Sequence, residues 1–188
     1  MPAMAAPKEA RNPLDLYLYR DTRQLVKLVE DAAALLEEKG PAFFAELGTR
    51  GSRWLNGNYY FFVYDLSGTC VFHAVEPELV GKNLMGLRDM NGKPVTRMIT
   101  DIGRKAQDRA GGWVFYLWEE GTQISPLWKG SYIRKVIGPD KKVYLIGCGL
   151  YNLKIEKEFV KEKVNLAVEV LQTKGKDAAF EDFRNPAS

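Results

Sequence analysis

Hydrophobic side chains recur at three- and four-residue steps in the first quarter of the chain, the spacing that places them on one face of a helix. The recurring positions are Leu18, Leu25, Leu28, Val29, Ala32, Leu35 and Leu36. Pro13 suits a first helical turn, and Gly40 followed by Pro41 is a stop signal. The pattern predicts a long amphipathic helix over residues 13–39 and a short second helix over residues 42–47.

After position 58 the pattern changes to runs of aromatic and β-branched side chains, which are typical of strands. Residues 59–65 and 69–74 form two such runs, and the turn-forming residues 66–68 separate them. The pattern predicts a β-hairpin. Both faces of the hairpin are apolar, so we expect the sheet to be covered on both sides.

The register of this hairpin decides which side chains share a face. If the turn pairs Val63 with Val71, Phe61 lies opposite His73. Side chains alternate between the two faces along each strand. This pairing therefore predicts that Tyr64 lies on the opposite face from His73.

The second half of the chain alternates between helix and strand patterns. A helical stripe begins at Val95 and continues through Met98, Ile99 and Ile102, with Arg97 facing solvent. Strands are predicted over residues 113–118, 131–137 and 143–151, and a closing helix over residues 153–173. Antiparallel strands with a helix inserted after the second strand indicate an α+β fold.

Length and charge narrow the class of protein. The 188 residues fit one domain with a helical extension. The net charge of +3, from 27 basic and 24 acidic residues, is too small and too evenly spread for a nucleic-acid surface. Residues 1–12 are rich in Ala and Pro and predict a flexible tail. No apolar run approaches the length of a membrane helix, and the first residues lack the apolar core of a signal peptide.

Residues that carry chemistry are sparse. The only histidine is His73, and the two cysteines, Cys70 and Cys148, lie in apolar runs without a CxxC motif. No nucleophile motif or phosphate-binding loop is present. We therefore expect no catalysis, no metal and no cofactor, with both cysteines as small buried side chains.

Five motifs in order along the chain point to a known family. They are Y-F-F-V-Y-D-L-S-G-T at 60–69, E-P-E-L-V-G-K-N-L at 76–84, G-G-W-V at 111–114, K-G-S-Y at 129–132 and I-G-C-G-L-Y at 146–151. With these motifs the chain resembles single Cache domains of the second type, over about residues 25–152. Each motif is weak alone, and the ordered set is specific.

The resemblance implies a PAS-like antiparallel sheet of about five strands with a long N-terminal helix and a C-terminal helix. It also implies an extracytoplasmic, periplasmic sensor for signal transduction or chemotaxis. Such a domain binds a small organic ligand, often a short carboxylate such as acetate, propionate or pyruvate, against the sheet. The membrane anchors that usually flank these domains are absent from this chain, so we expect it to be part of a longer protein.

A buried carboxylate needs a cation or several hydrogen-bond donors. Lys129 is the candidate cation because it opens the K-G-S-Y motif, although a solvated lysine at a strand end is the alternative. His73 is a candidate donor or, alternatively, a core histidine. Tyr132, Trp113 and Met98 are candidate pocket walls, with ordinary packing as the alternative for each.

Two other functions remain open at this stage. One is a soluble periplasmic binding protein without an output domain. The other is a cofactor-binding PAS-like sensor in which His73 ligates haem, and colourless purified protein would argue against it.

The two ends of the chain also look alike. Residues 29–47 and 164–183 each contain an amphipathic helix, a Lys-Gly step and a short segment with phenylalanine, and the Lys-Gly steps lie at 39–40 and 174–175. Residues 13–152 therefore form the predicted Cache domain, and residues 153–188 a helical extension that begins a second Cache unit. The alternative is an ordinary linker helix that packs on the domain or on a second copy in a homodimer.

Overall fold

The first helix begins later than its hydrophobic pattern suggests. In this computed structural model, which describes residues 13–119 and 125–185, Pro13–Leu16 form a 3₁₀ turn and helix α1 runs from Arg20 to Lys39. The chain between them is extended at Tyr19. The expected tail over residues 1–12 lies outside the described residues.

A contact from the far end of the domain accounts for this late start. The Glu156 side chain, 1 % exposed, accepts the backbone N–H groups of Leu18 and Tyr19 at 2.8 Å each. These two groups therefore bind a carboxylate that is distant in sequence instead of joining a helical turn. Glu156 thus clips the start of α1 to the start of the closing helix.

The remaining elements follow the predicted order. A 3₁₀ turn (Gly40–Phe43) leads to α2 (Phe44–Leu47), β1 (Phe61–Asp65), β2 (Cys70–His73), α3 (Val95–Gly103), β3 (Gly111–Trp118), β4 (Leu127–Ile137), β5 (Val143–Tyr151), α4 (Lys157–Lys174) and α5 (Lys176–Arg184). The strands form one antiparallel sheet in the order β2-β1-β5-β4-β3. The α+β fold with five strands, an N-terminal helix and a C-terminal helix is confirmed.

The predicted register of the first hairpin is wrong by one residue. Tyr64 pairs with Cys70, but an irregularity between Val63 and Tyr64 shifts the next pairs, so that Val63 lies opposite Phe72 and Phe62 opposite His73. A β-bulge of this kind inserts one extra residue into one strand and moves all later side chains to the other face. His73 and Tyr64 therefore share a face of the sheet.

Helices and loops cover both faces of the sheet, as the two apolar faces of the hairpin predicted. On one face, α1 buries Leu25, Val29 and Leu36 against Phe61 and Ile146. On the other face, α3 and the loop between β2 and α3 cover a second cluster that includes Tyr60, Tyr116 and Ile133. Both cysteines are buried free thiols.

The closing helix is different because much of it is open to solvent. Phe159, at its start, packs on Trp113 and Phe115 with ring centroids 4.6 and 4.9 Å apart. Beyond it, Val160 and Val164 are more than half exposed. Within residues 13–119 and 125–185, no helix has both the length and the apolar character needed to cross a bilayer.

Candidate ligand-binding site

A small cavity lies between the sheet and its α3 side. Strands β1 to β4, helix α3 and the loop before it contribute the lining residues. They are Tyr60, Phe62, Tyr64, His73, Leu87, Val95, Ile99, Tyr116, Trp118 and Lys129. The cavity volume is about 10 Å³, close to what one water molecule needs. The site is thus a small cavity lined mainly by aromatic side chains, and Lys129 is the cationic side chain among its described lining residues.

Lys129 is the feature that sets this compartment apart. It lies on β4 opposite Tyr116 of β3 and Tyr151 of β5, and it is only 1 % exposed. Its Nζ donates a hydrogen bond to the Tyr60 hydroxyl and lies 3.7 Å from the centre of the Tyr60 ring and 5.2 Å from that of Tyr151. Aromatic faces attract a cation. The alternative of a solvated lysine at a strand end is therefore wrong.

A glycine on the neighbouring strand makes room for the lysine stem. A Cβ at Gly149 would lie 2.7 Å from Lys129 Cε and would also meet the Ser131 hydroxyl. Real Cβ atoms do not approach other atoms this closely, so any larger residue at Gly149 would displace the lysine. The glycine of the G-C-G step in β5 thus contributes directly to the site.

His73 lies beside Lys129 in the same cavity. Its Nδ1 accepts the backbone N–H of Glu76 at 3.0 Å. The proton of the neutral ring is therefore on Nε2, which lies 3.4 Å from Glu76 Oε2. Burial, and then the positive charge of Lys129, lowers the pKa of His73 from 6.5 to about 4. The imidazole is neutral at pH 7, and its Nε2–H is a donor.

This environment predicts a loss of stability in mild acid. Between pH 6.5 and 4 the unfolded chain protonates His73 and the folded protein does not, so the unfolded state takes up more protons and is favoured as the pH falls. We expect the free energy of unfolding to drop by about 2 kcal/mol from pH 8 to pH 5 through this group. Urea unfolding across this pH range measures the drop.

His73→Gln is the control for this pH dependence, because glutamine does not titrate. Glu76, whose pKa is raised chiefly by burial, has the opposite pH dependence, so only the difference between wild type and variant isolates the histidine. The variant should lose most of the drop. Equal slopes in the two proteins would contradict a buried neutral histidine.

The hydroxyl groups in the cavity are donors as well. Tyr116 and Ser131 share a buried hydrogen bond of 2.9 Å. Burial raises the pKa of the Tyr60, Tyr64 and Tyr116 phenols well above the usual value, so they remain protonated. The Glu76 carboxylate lies beside the cavity, 3.4 Å from His73 Nε2, but is not among the described residues that line it. The arrangement is suited to a small anion.

The structure brings together two of the five predicted site residues. His73 and Lys129 share the cavity, whereas Trp113 and Tyr132 lie on the opposite face of the sheet. There the Trp113 Nε1–H donates to the Tyr17 hydroxyl at 2.9 Å, and the Tyr132 hydroxyl donates to Glu30 at 3.0 Å. Trp113 and Tyr132 therefore lie on the α1 side of the sheet, outside this cavity.

The alternation of side chains along β4 explains why Tyr132 lies outside the cavity. Lys129 and Ser131 alternate with Tyr132 on β4 and face the cavity side together, which directs Tyr132 to the other side. Met98 on α3 is half-buried in the cluster above the cavity but is not among the residues that line it. The lining residues that we did not predict are mainly the aromatic side chains Tyr60, Phe62, Tyr64, Tyr116 and Trp118.

A larger groove lies on the other side of the sheet, near the start of α1. Its volume is about 1040 Å³, and it is open to solvent. Two of its basic side chains share Asp31, which lies 2.9 Å from Lys27 and 3.3 Å from Arg53. An open groove leaves a bound anion in contact with water, which weakens its attraction to nearby charges. The cavity around Lys129 is therefore the stronger candidate despite its smaller size.

Comparison with known proteins places these features in a family. A family model described as a Cache domain matches residues 48–174. The chain is also 30 % identical over 105 residues to the methyl-accepting chemotaxis protein McpP of Pseudomonas putida. That match covers 55 % of this chain and 18 % of the chemoreceptor, so the chain spans less than a fifth of that relative's length.

Solved structures agree with this match. A periplasmic sensor domain of a chemotaxis protein superimposes with a TM-score of 0.55 at 28 % identity, covering 72 % of this chain and all of that one. A Cache chemosensory domain described in terms of carboxylic acid recognition gives a TM-score of 0.57 at 22 % identity. That match covers 71 % of this chain and 94 % of the other, and at this identity it bears on the fold alone.

Proposed function

This chain belongs to the Cache domain family, and on that premise we propose that it is a periplasmic sensing module of a chemotaxis or related signalling protein. We further propose that its ligand is a monocarboxylate of roughly two to four carbons, bound beside Lys129. The module binds this ligand and performs no chemistry on it.

The buried ammonium group of Lys129 carries the proposal. Removing a charged group from water is costly unless an opposite charge or several hydrogen bonds compensate. Lys129 donates to the Tyr60 hydroxyl and lies against aromatic rings, and the Glu76 carboxylate beside the cavity also interacts with its charge. A carboxylate ligand would place a negative charge beside the ammonium and accept hydrogen bonds from the lysine and the phenols.

The size of the cavity supports a small ligand. With room for about one water molecule, the cavity must widen before a molecule of several heavy atoms fits. Leu87 lies in the loop between β2 and α3, and its outward movement would widen the cavity without disturbing the sheet. A ligand that pulls this loop around itself links binding to a change in shape, which is what a sensor requires.

The kinship with chemotaxis proteins supports the sensing role. McpP is a chemoreceptor, and the two neighbouring structures are described as sensor domains, one of them in terms of carboxylic acid recognition. Because this chain covers only a small part of McpP, the output that it controls is part of the proposal.

A thermal-shift series tests the ligand class. Acetate, propionate, pyruvate and lactate are compared with the neutral amides acetamide and propionamide, which match the first two acids in size. A ligand at 100 times its Kd adds about 2.7 kcal/mol of stability, or roughly 5–10 °C in Tm for a chain of this length. We expect a shift with at least one acid that grows with the logarithm of its concentration above Kd, and none with its amide.

Two results would contradict the proposal. One is the absence of any shift with all four acids at concentrations of order 10 mM, where even a Kd of about 0.1 mM gives near-full stabilisation. The other is an equal shift with the acid and its amide, which would show that the negative charge is irrelevant. Neither result would alter membership of the Cache family.

A further inference from the structure

Two helix ends in this chain have the same local structure. At the end of α1, Gly40 has a φ of 60° and donates its N–H to the Leu36 carbonyl. At the end of α4, Gly175 has a φ of 79° and donates its N–H to the Leu171 carbonyl. A left-handed glycine that closes a helix in this way is common, so this similarity alone would carry little weight.

The ion pair across each turn makes the similarity more specific. Lys39 precedes the first glycine and pairs with Glu46 of α2 at 2.6 Å. Lys174 precedes the second glycine and pairs with Asp182 of α5 at 2.5 Å. Allowing for one inserted residue after Gly175, the two acidic residues occupy equivalent positions. The α4–α5 pair therefore repeats the α1–α2 pair in the glycine that closes the first helix and in the charge pairing, although α5 is a nine-residue helix and α2 a four-residue helix after a 3₁₀ turn.

The repeat extends to much of the apolar face of the helix, although the buried Val26 has Lys161 as its counterpart, and it does not extend to what covers that face. On α1, Leu25, Val29 and Ala33 are between 0 and 6 % exposed because the sheet lies against them. When the two Lys-Gly steps are aligned, their counterparts on α4 are Val160, Val164 and Val168. These three valines are 53, 55 and 44 % exposed.

The glycines that end the two helices also differ in whether another part of the chain packs against them. A Cβ at Gly40 would lie 3.0 Å from Pro139 in the β4–β5 turn, whereas Gly175 has nothing within 4 Å. An apolar helix face of this kind is stable in water only when something covers it. α4 thus carries the residues of a sheet-covered helix in a place where no part of the described chain supplies a sheet.

We propose that α4 and α5 are the opening helices of a second α/β unit of the same fold, and that the sheet of that unit covers Val160, Val164 and Val168. The unit follows in the same polypeptide. A second copy of this chain is a poorer occupant, because its sheet already has α1 on one face and α3 on the other. Phe159, packed on Trp113, joins the second unit to the first.

The position of the next hairpin is the first test. In this chain the aromatic hairpin motif starts at Tyr60, which is twenty residues after Gly40. The reading frame of the parent gene should therefore encode a second hairpin of the form Y-x-F-V-x-D at the same distance after Gly175, allowing for the one inserted residue. A reading frame that ends at Ser188, or that continues without such a hairpin, overturns the proposal.

Matched alanine variants provide the second test. In the 188-residue chain, Val164→Ala should leave Tm unchanged within about 1 °C, whereas its counterpart Val29→Ala should lower it by several degrees because Val29 is fully buried. In the protein extended through the next unit, Val164→Ala should also lower the Tm of that unit by several degrees. An unchanged Tm in the extended protein overturns the proposal.

Self-association is the outcome that would assign the face to a different occupant. Analytical ultracentrifugation of this chain should show a monomer at micromolar concentrations. A dimer that Val164→Lys dissociates would show that α4 pairs with a second copy, and it would overturn the tandem arrangement. Val164 is not among the residues that line the cavity around Lys129, so a failure here leaves the proposed ligand site unaffected.

Discussion

Replacing Lys129 with methionine is expected to abolish the carboxylate-induced rise in Tm while leaving the ligand-free protein at least as stable as the wild type. Methionine keeps most of the length of the side chain and removes its charge. Lys129 is 1 % exposed, and exchanging a buried charged group for an apolar group of similar volume is often neutral or stabilising. The Tyr60 hydroxyl keeps a hydrogen bond to Tyr151.

The loss of binding should be large. Removing one partner of a buried, hydrogen-bonded charge pair costs roughly 2–5 kcal/mol, so affinity should fall by a factor between about 30 and several thousand. Calorimetric titration of the variant with the best acid of the thermal-shift series measures this directly. The opposite signs of the two effects, on stability and on affinity, distinguish a ligand-binding lysine from a structural one.

Lys142→Met is the matched control, because Lys142 is also near β5 but its side chain is 76 % exposed. It should change neither Tm nor affinity. If Lys129→Met binds the acid as well as the control does, Lys129 is not part of the site. If the variant instead fails to fold, the lysine contributes mainly to the structure of the sheet.

The second large effect is expected at Glu156. Glu156→Ala leaves the backbone N–H groups of Leu18 and Tyr19 without their carboxylate partner. Hydrogen bonds to a charged group contribute about 1.5–3 kcal/mol each, so the free energy of unfolding should fall by roughly 3–6 kcal/mol. For a chain of this length this corresponds to a decrease in Tm of roughly 6–24 °C.

Thermal unfolding of Glu156→Ala, Glu156→Gln and Glu158→Gln separates the contributions. Glutamine at 156 can accept one hydrogen bond and should lose about half as much stability as alanine. Glu158 is 18 % exposed and pairs with the exposed Lys161 at 3.2 Å, so its variant should stay within about 1 kcal/mol of wild type. An alanine variant at 156 that is as stable as the Glu158 variant would show that the hydrogen bonds from Leu18 and Tyr19 to Glu156 do not stabilise the fold.

The elements with strong local patterns could be predicted from the sequence. The apolar stripe from Leu25 to Leu36 identifies α1, and the aromatic runs identify the five strands. The start of α1 could not be found in this way, because its partner Glu156 is distant in sequence. Local periodicity carries no information about such a contact.

The site was harder to predict than the fold for a similar reason. A single bulge beside Val63 reverses the faces of β2 relative to β1, and with them the relation of His73 to Tyr64. The burial of Lys129 depends on Tyr60 and Tyr151, which come from two other parts of the sheet. The position of Tyr132, in contrast, could have been deduced from its alternation with Lys129.

The clip at Glu156 also brings the two ends of the domain together. Leu18 and Glu156 lie near the two ends of the fold and are joined by a hydrogen bond of 2.8 Å, and Tyr17 and Phe159 just beyond them are still buried in the core. The segment between Leu18 and Glu156 therefore begins and ends at the same place in the domain. Such a segment can be inserted into a loop of another protein, because its two ends are close enough to connect to the two sides of that loop without separating them. The same proximity makes the domain, with Tyr17 and Phe159 retained, a good starting point for circular permutation.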